Sequence, residues 1–212
     1  MNLKTRILKV DPNLVEIDRI NHIVKVLQGE GVIVYPTDTF YGIGVNCFSE
    51  ESIDKIFYLK KRETYKPISL VISDVEMLRE VAVDIPEVFT TIYREFWPGP
   101  LTLIFKASTR LPQSLLKGEM TIGVRLPAHP WLRELIRRAG FPLTATSANI
   151  SGEKEISDPE ETIEIFSGKV DLIVNAGKTR GKLPSTILDL TSKKPEILRE
   201  GAIPQAMLEK YL

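Results

Sequence analysis

The 212-residue chain has one cysteine, Cys47, and two histidines, His22 and His129. A lone thiol excludes an internal disulfide and a cysteine-built zinc site. Two histidines make no histidine metal cluster, and both read as structural: His22 as a surface helix residue, His129 between Ala128 and Pro130 as loop. Nothing approaches the ~20-residue apolar run of a membrane span. The amino-terminal stretch 1–10 scatters Lys4, Arg6 and Lys9 and has no signal-peptide core, so a cytoplasmic location is expected, without membrane contact. Neither sign of charge is in excess: 28 Lys and Arg stand against 28 Asp and Glu. Bulk electrostatics therefore offers no general attraction to nucleic acid or anionic membrane, although a local basic patch is left open. Repeats, low-complexity tracts and linkers are also missing.

What is present is ordinary for a globular protein: 43% hydrophobic and 26% charged residues. A chain of this length buries roughly 70% of its unfolded surface, and one domain over 1–212 is expected. Helical and strand patterns alternate. Asp11-Pro12 offers a cap and a first-turn proline, with Leu14, Ile17, Ile20, Ile23, Val24 and Leu27 following at helical spacing. Ser49 caps a second helix, with Glu50 and Glu51 in its first turn. Helices are further expected over 74–82, 86–96 and 130–139, and after the capping sequence Asp158-Pro159-Glu160-Glu161. Short apolar strands are expected at 32–35, 68–72, 101–105, 121–126, 142–146, 170–174, 186–190 and 196–198. Their close succession near 101–126 and 170–198 predicts an α/β fold around a twisted sheet of mixed parallel and antiparallel strands.

The most informative segment is Val32 to Gly44. The apolar run Val32–Tyr35 stops at Pro36 and delivers Thr37, Asp38 and Thr39. Hydroxyls and a carboxylate at the end of a buried strand are a usual floor for a ligand site, though the same residues are plain turn chemistry. Lys60, Lys61 and Arg62 end a helix, with Lys66 just beyond. Cations there complement the helix dipole or bind phosphate and carboxylate. Thr144 to Gly152 is rich in hydroxyls, carries the Asn149 amide, and has no charge or bulky side chain. Arg125, Ser185 and Arg199 sit at strand ends. Gly177-Lys178-Thr179 imitates the tail of a P-loop, but Leu172 stands where that loop needs glycine. No dinucleotide fingerprint opens a helix, and no nucleophile elbow is present.

Eight motifs run in order: Pro36-Thr37-Asp38-Thr39-Phe40-Tyr41-Gly42, Lys60-x-Arg62, Lys66-Pro67, Pro98-Gly99-Pro100, Gly123-Val124-Arg125-Leu126-Pro127, Ser147-Ala148-Asn149-x-Ser151-Gly152, Ser185-Thr186-Ile187 and Arg199-x-Gly201. Together they resemble the YrdC/Sua5 family of threonylcarbamoyl-AMP synthases, in its short form, over roughly 14–201. The resemblance implies that L-threonine, bicarbonate and ATP give threonylcarbamoyl-adenylate and pyrophosphate, with Mg²⁺ accompanying ATP and a large, positively lined cavity. The product would pass to tRNA threonylcarbamoyl-transferase machinery. By the same resemblance, Lys60 and Arg62 are the catalytic pair at the phosphates and carbamate. Thr64, Thr121, Ser147, Asn149 and Arg199 join that pair on the ATP side, and Thr37, Ser69, Arg125 and Ser185 hold threonine. Arg125 is the natural carboxylate partner. Here Lys61 and Glu63 flank the pair where the family often shows Lys-Gly-Arg-Pro. Other readings are a double-stranded RNA-binding module with tRNA or RNA contact, and a repurposed paralogue of the same fold. A carbamoyl-transfer enzyme of hydrogenase maturation shares the domain, but it also needs zinc-binding cysteines that are missing here.

Overall fold

A computed structural model describes residues 3–60, 68–149 and 154–212. In chain order it begins with β1 (Arg6–Lys9), α1 (Ile17–Gln28), β2 (Ile33–Tyr35), β3 (Gly42–Gly44), α2 (Glu50–Lys60) and β4 (Ser69–Val71). Next come α3 (Leu78–Val81), β5 (Ala82–Val83), α4 (Val88–Phe96), β6 (Leu101–Ala107), α5 (Gln113–Leu116) and β7 (Thr121–Arg125). The chain continues through α6 (Pro130–Ala139), β8 (Leu143–Ser147), α7 (Pro159–Phe166), β9 (Leu172–Asn175), β10 (Thr186–Asp189), β11 (Glu196–Arg199) and α8 (Gln205–Leu208).

The strands form one sheet in the order β1-β9-β2-β3-β8-β4-β7-β6-β10-β11, with β5 beside β6. β1/β9, β2/β9, β4/β7 and β6/β10 are parallel; β2/β3, β3/β8, β4/β8, β6/β7 and β10/β11 are antiparallel. The mixed α/β sheet is as expected. Its central strands are buried: Ile33, Val34 and Tyr35 are fully covered, as are Leu70, Leu103 and Val124. Each such side chain contributes about 1.5–3 kcal/mol on burial. Helix α1 turns Ile20, Ile23, Val24 and Leu27 inward and packs on α6, whose Trp131, Leu132, Leu135 and Ile136 face the core.

Local chemistry explains the boundaries. Ser49 Oγ accepts from Ser52 N and caps α2, and Asp158 accepts from Glu160 N ahead of Pro159 in α7. The first helix departs from expectation. It starts at Ile17, because Asp11 folds back to accept from Asn13 N in an Asx turn and spends its carboxylate there. The expected helix over 74–82 shrinks to Leu78–Val81, since Asp74 caps a turn by accepting from Met77 N. His129 is more than loop: it is the N-cap of α6, and its Nδ1 accepts from Leu132 N.

Candidate functional site

The middle of the sheet carries small residues on one face. Gly123 on β7 lies between Arg125 and Thr121 in the alternation of the strand. Ser69 on β4 stands beside it, so close that a Cβ at Gly123 would come within 2.7 Å of Ser69 Oγ. Ala145 pairs with Ser69, Ser147 pairs with Gly42, and Thr102 on β6 completes the row. Apart from Arg125, none of these residues is larger than threonine. A cavity of about 260 Å³ lies above this floor, lined by these residues except Gly123 and Thr121 and by Tyr35, Thr37, Thr39, Glu155, Ser185 and Arg199. That is a little below the roughly 300–1,000 Å³ usual for ligand pockets.

The loop after β2 builds one wall. Thr37 Oγ1 donates to Phe40 O at 2.7 Å, accepts from Thr39 N at 3.0 Å and meets Thr39 Oγ1 at 2.9 Å. Thr37 is thus the internal brace of the loop as well as a cavity residue. The braced loop meets Arg125, which is buried at 7% exposure. Arg125 Nη1 donates to Thr39 Oγ1 at 3.0 Å, and Nη2 forms an ion pair with Asp38 Oδ1 at 2.5 Å. The pair is a charge contact whose angles fall outside hydrogen-bond geometry. Arg125 Nε donates to Gly99 O at 3.0 Å. Gly99 lies in the turn Trp97-Pro98-Gly99-Pro100, where a Cβ would collide with Phe96 O.

The opposite walls come from β8, backed by the end of α2, and from the C-terminal strands. Lys60, the last residue of α2, is 2% exposed and points away from solvent. Its Nζ donates to Ser147 O and, at 3.0 Å, to Asn149 Oδ1. Ser147 Oγ donates to the same Asn149 oxygen at 2.6 Å. Lys60 therefore ties the end of α2 to the Ser147–Asn149 turn, a role its dipole position alone does not reveal. Arg199 donates from Nη2 to Ser185 O at 2.8 Å, and Ser185 Oγ meets Thr102 Oγ1 at 2.8 Å. Partial burial in the cavity wall pushes the Arg199 guanidinium below its ordinary value; nearby Glu155 opposes this and Arg125 adds to it. Burial likewise pushes the Tyr35 hydroxyl up, and it donates to Thr144 O. Tyr41, pushed up to about 12 by burial, donates to Gly177 O. Both phenols are neutral structural posts.

Of the site residues expected from sequence, Thr37, Ser69, Arg125, Ser147, Ser185 and Arg199 line the one cavity. Lys60 and Asn149 adjoin it through Ser147. Thr121 is outside the lining; it shares the floor's face of β7 but pairs with Lys106 at the far end from Arg125. Arg62 and Thr64 lie outside the described residues. Sequence reasoning did not single out Glu155, Thr102 or Tyr35 as site residues, nor Asp38 and Thr39 as the partners of Arg125. Asp38 was visible as a carboxylate at a strand end; nothing in its neighbourhood names Arg125. Among the described residues no group of three or more His, Cys, Asp or Glu is placed to hold a metal ion, and no helix is long and apolar enough to cross a membrane.

A family model described as telomere recombination, spanning the Sua5, YciO and YrdC proteins, matches residues 25–201. The chain belongs to the Sua5/YciO/YrdC family. A Pyrococcus abyssi relative named threonylcarbamoyl-AMP synthase is 37% identical over 181 residues, covering 85% of this chain and 53% of the relative. The chain thus spans about half the length of that relative. A putative threonylcarbamoyl-AMP synthase of Methanocaldococcus jannaschii is 35% identical over 207 residues, covering 96% of this chain and 97% of the relative. The solved structure of P. abyssi Sua5 complexed with L-threonine superposes with a TM-score of 0.94 at 35% identity, over 98% of this chain and 61% of that one. As a Sua5/YciO/YrdC domain, the chain keeps the mixed α/β sheet of these structures.

Proposed function

We propose that this protein is a nucleotidyltransferase that makes L-threonylcarbamoyl-adenylate and pyrophosphate from L-threonine, bicarbonate and ATP. One observation carries the reading: in a chain of this family, hydroxyls and guanidinium groups from distant segments, Thr37, Ser69, Arg125, Ser147, Ser185 and Arg199, line a single cavity. The name of the P. abyssi relative and the L-threonine bound in the solved structure of P. abyssi Sua5 support the substrate.

The chemistry suits these residues. Threonine nitrogen, as the neutral amine, adds to the bicarbonate carbon with loss of water to give a carbamate. A carbamate oxygen then attacks the α-phosphorus of ATP, and pyrophosphate leaves. Nucleophile and electrophile are both anionic, so the barrier is set by charge repulsion and alignment. Arg125 would take the amino acid's carboxylate, with Thr37, Ser69 and Ser185 around the side chain. Ser147, Asn149 and Arg199 would hold the nucleotide. Lys60 would fix the Ser147–Asn149 turn and, with Arg62, supply positive charge at the phosphates; Thr64 and Thr121 are assigned to the same nucleotide side. Mg²⁺ fits as a passenger on the ATP phosphates. Glu155 is the one carboxylate lining the cavity among the described residues, and Mg²⁺ sites commonly pair one or two carboxylates with substrate phosphate. Bound there, the ion would neutralise phosphate charge. His129 is left out: it is neutral, half-buried and spent on capping α6.

The location proposed is cytoplasmic, and the product would be handed to a transferase that modifies adenosine in tRNA. The test is pyrophosphate release measured with each co-substrate withheld in turn. The proposal expects release to require L-threonine and bicarbonate together; release that ignores both would mark a plain ATPase.

A further inference from the structure

Three contacts hold Arg125, and they come from two loops far apart in the chain. Gly99 O accepts from Nε at 3.0 Å, Thr39 Oγ1 accepts from Nη1 at 3.0 Å, and Asp38 Oδ1 stands 2.5 Å from Nη2. A guanidinium has its N–H donors in a rigid plane, so the hydrogen bonds at Nε and Nη1 fix that plane while the Asp38 charge holds its Nη2 end. Asp38 and Arg125 are both nearly buried, with side chains 14% and 9% exposed. Arg125 lines the cavity, whereas Asp38 is not among the lining residues and acts from behind. The loop that carries Asp38 is itself stiffened by the three Thr37 contacts and by Gly181 N donating to Thr39 O at 3.1 Å.

We propose that Asp38 is a positioning residue of the amino-acid site, holding the Arg125 fork in the orientation that receives a substrate carboxylate. The proposal rests on the threonine-binding reading given above. A carboxylate is recognised by a guanidinium chiefly through in-plane, paired hydrogen bonds. A guanidinium free to rotate keeps its charge but loses that geometry, and groups that hold a binding residue from behind commonly matter as much as the residue itself. Asp38 would therefore set affinity for the amino acid and leave the nucleotide side alone. Gly99 serves the same end through its carbonyl, while its lack of a side chain is required by Phe96 O, which a Cβ there would strike.

The experiment compares wild type with Asp38→Asn and Asp38→Ala in steady-state pyrophosphate release, titrating L-threonine and ATP separately. A thermal melt checks that each variant is folded. Asp38→Asn keeps the size and one acceptor oxygen, so it decides the matter if the alanine variant fails to fold. The expected result is a KM for L-threonine raised at least 10-fold in Asp38→Asn, with the KM for ATP and kcat within about 3-fold of wild type. A merely structural role would move the melting temperature without this split. An unchanged or lower KM for L-threonine in folded Asp38→Asn overturns the proposal alone. A wild type whose rate ignores L-threonine overturns the functional reading and the proposal with it.

Discussion

At the scale of single residues, buried polar groups with and without partners make opposite predictions. Trp97 Nε1 donates to Leu101 O at 2.7 Å, whereas Trp131 Nε1 is buried with no hydrogen-bond partner. Trp97→Phe leaves a buried carbonyl with one acceptor position unmet, a cost of about 1–3 kcal/mol. Trp131→Phe removes a donor that is already unsatisfied, so its cost is limited to lost packing. Denaturant unfolding should rank Trp97→Phe below Trp131→Phe in midpoint at similar m. Lys60 belongs to the same class, with the outcome read in activity. Its ammonium is buried and holds Ser147 O and Asn149 Oδ1. Lys60→Met should lower the rate of pyrophosphate release by about 10²–10³-fold, the usual cost of losing one electrostatic stabiliser. A loss under 10-fold would remove Lys60 from the charge-neutralising set.

At the scale of elements, α6 carries a pH dependence. His129 accepts from Leu132 N with Nδ1, which only the neutral ring does. Burial lowers its pKa in the folded chain, and the Asp38 charge opposes this. The unfolded chain therefore binds the proton more readily, and stability falls as pH drops through and below about 6.5. His129→Asn, which keeps a capping oxygen, should flatten stability between pH 7 and pH 5 in urea titrations; an unaltered slope would place the dependence elsewhere. Such capping chemistry was readable in advance: Ser49, and Asp158 with Pro159, mark helix starts correctly. Asp11-Pro12 misled, because an aspartate two residues before an amide closes an Asx turn as readily as it caps a helix. Strand β3 was illegible for a different reason. Gly42-Ile43-Gly44 has no strand propensity of its own, and it is a strand because Tyr35 and Ser147 stand on either side of it. The glycine at 123 is the matching case in the site. A side chain there would enter the floor against Ser69 and Thr102. Gly123→Ala should raise the KM for at least one substrate more than 5-fold while the melt changes little.

At the scale of the whole molecule, the sheet order brings together segments that the sequence keeps apart. Short β2, β3, β8, β4, β7 and β6 lie side by side, and their small residues make the cavity floor. Which residues end at strand termini was legible from apolar runs and breakers. Their convergence was not, since pairing between residues 39 and 125 or 60 and 149 leaves no local trace; the ordered family motifs supplied it. The motifs in turn did not reveal that Arg125 is already engaged by Asp38, Thr39 and Gly99. Nor did they reveal that Glu155 shares the cavity with two arginines.

On the proposed function, this cavity joins threonine, a carbon from bicarbonate and AMP in one product. Mass spectrometry of the adenylate formed from ATP, L-threonine and ¹³C-bicarbonate tests it most directly. The expected product is an adenylate carrying the threonine mass plus one labelled carbon as its carbamoyl group. An unlabelled threonyl-adenylate, or AMP and pyrophosphate with no adduct under conditions that trap labile adenylates, would contradict it.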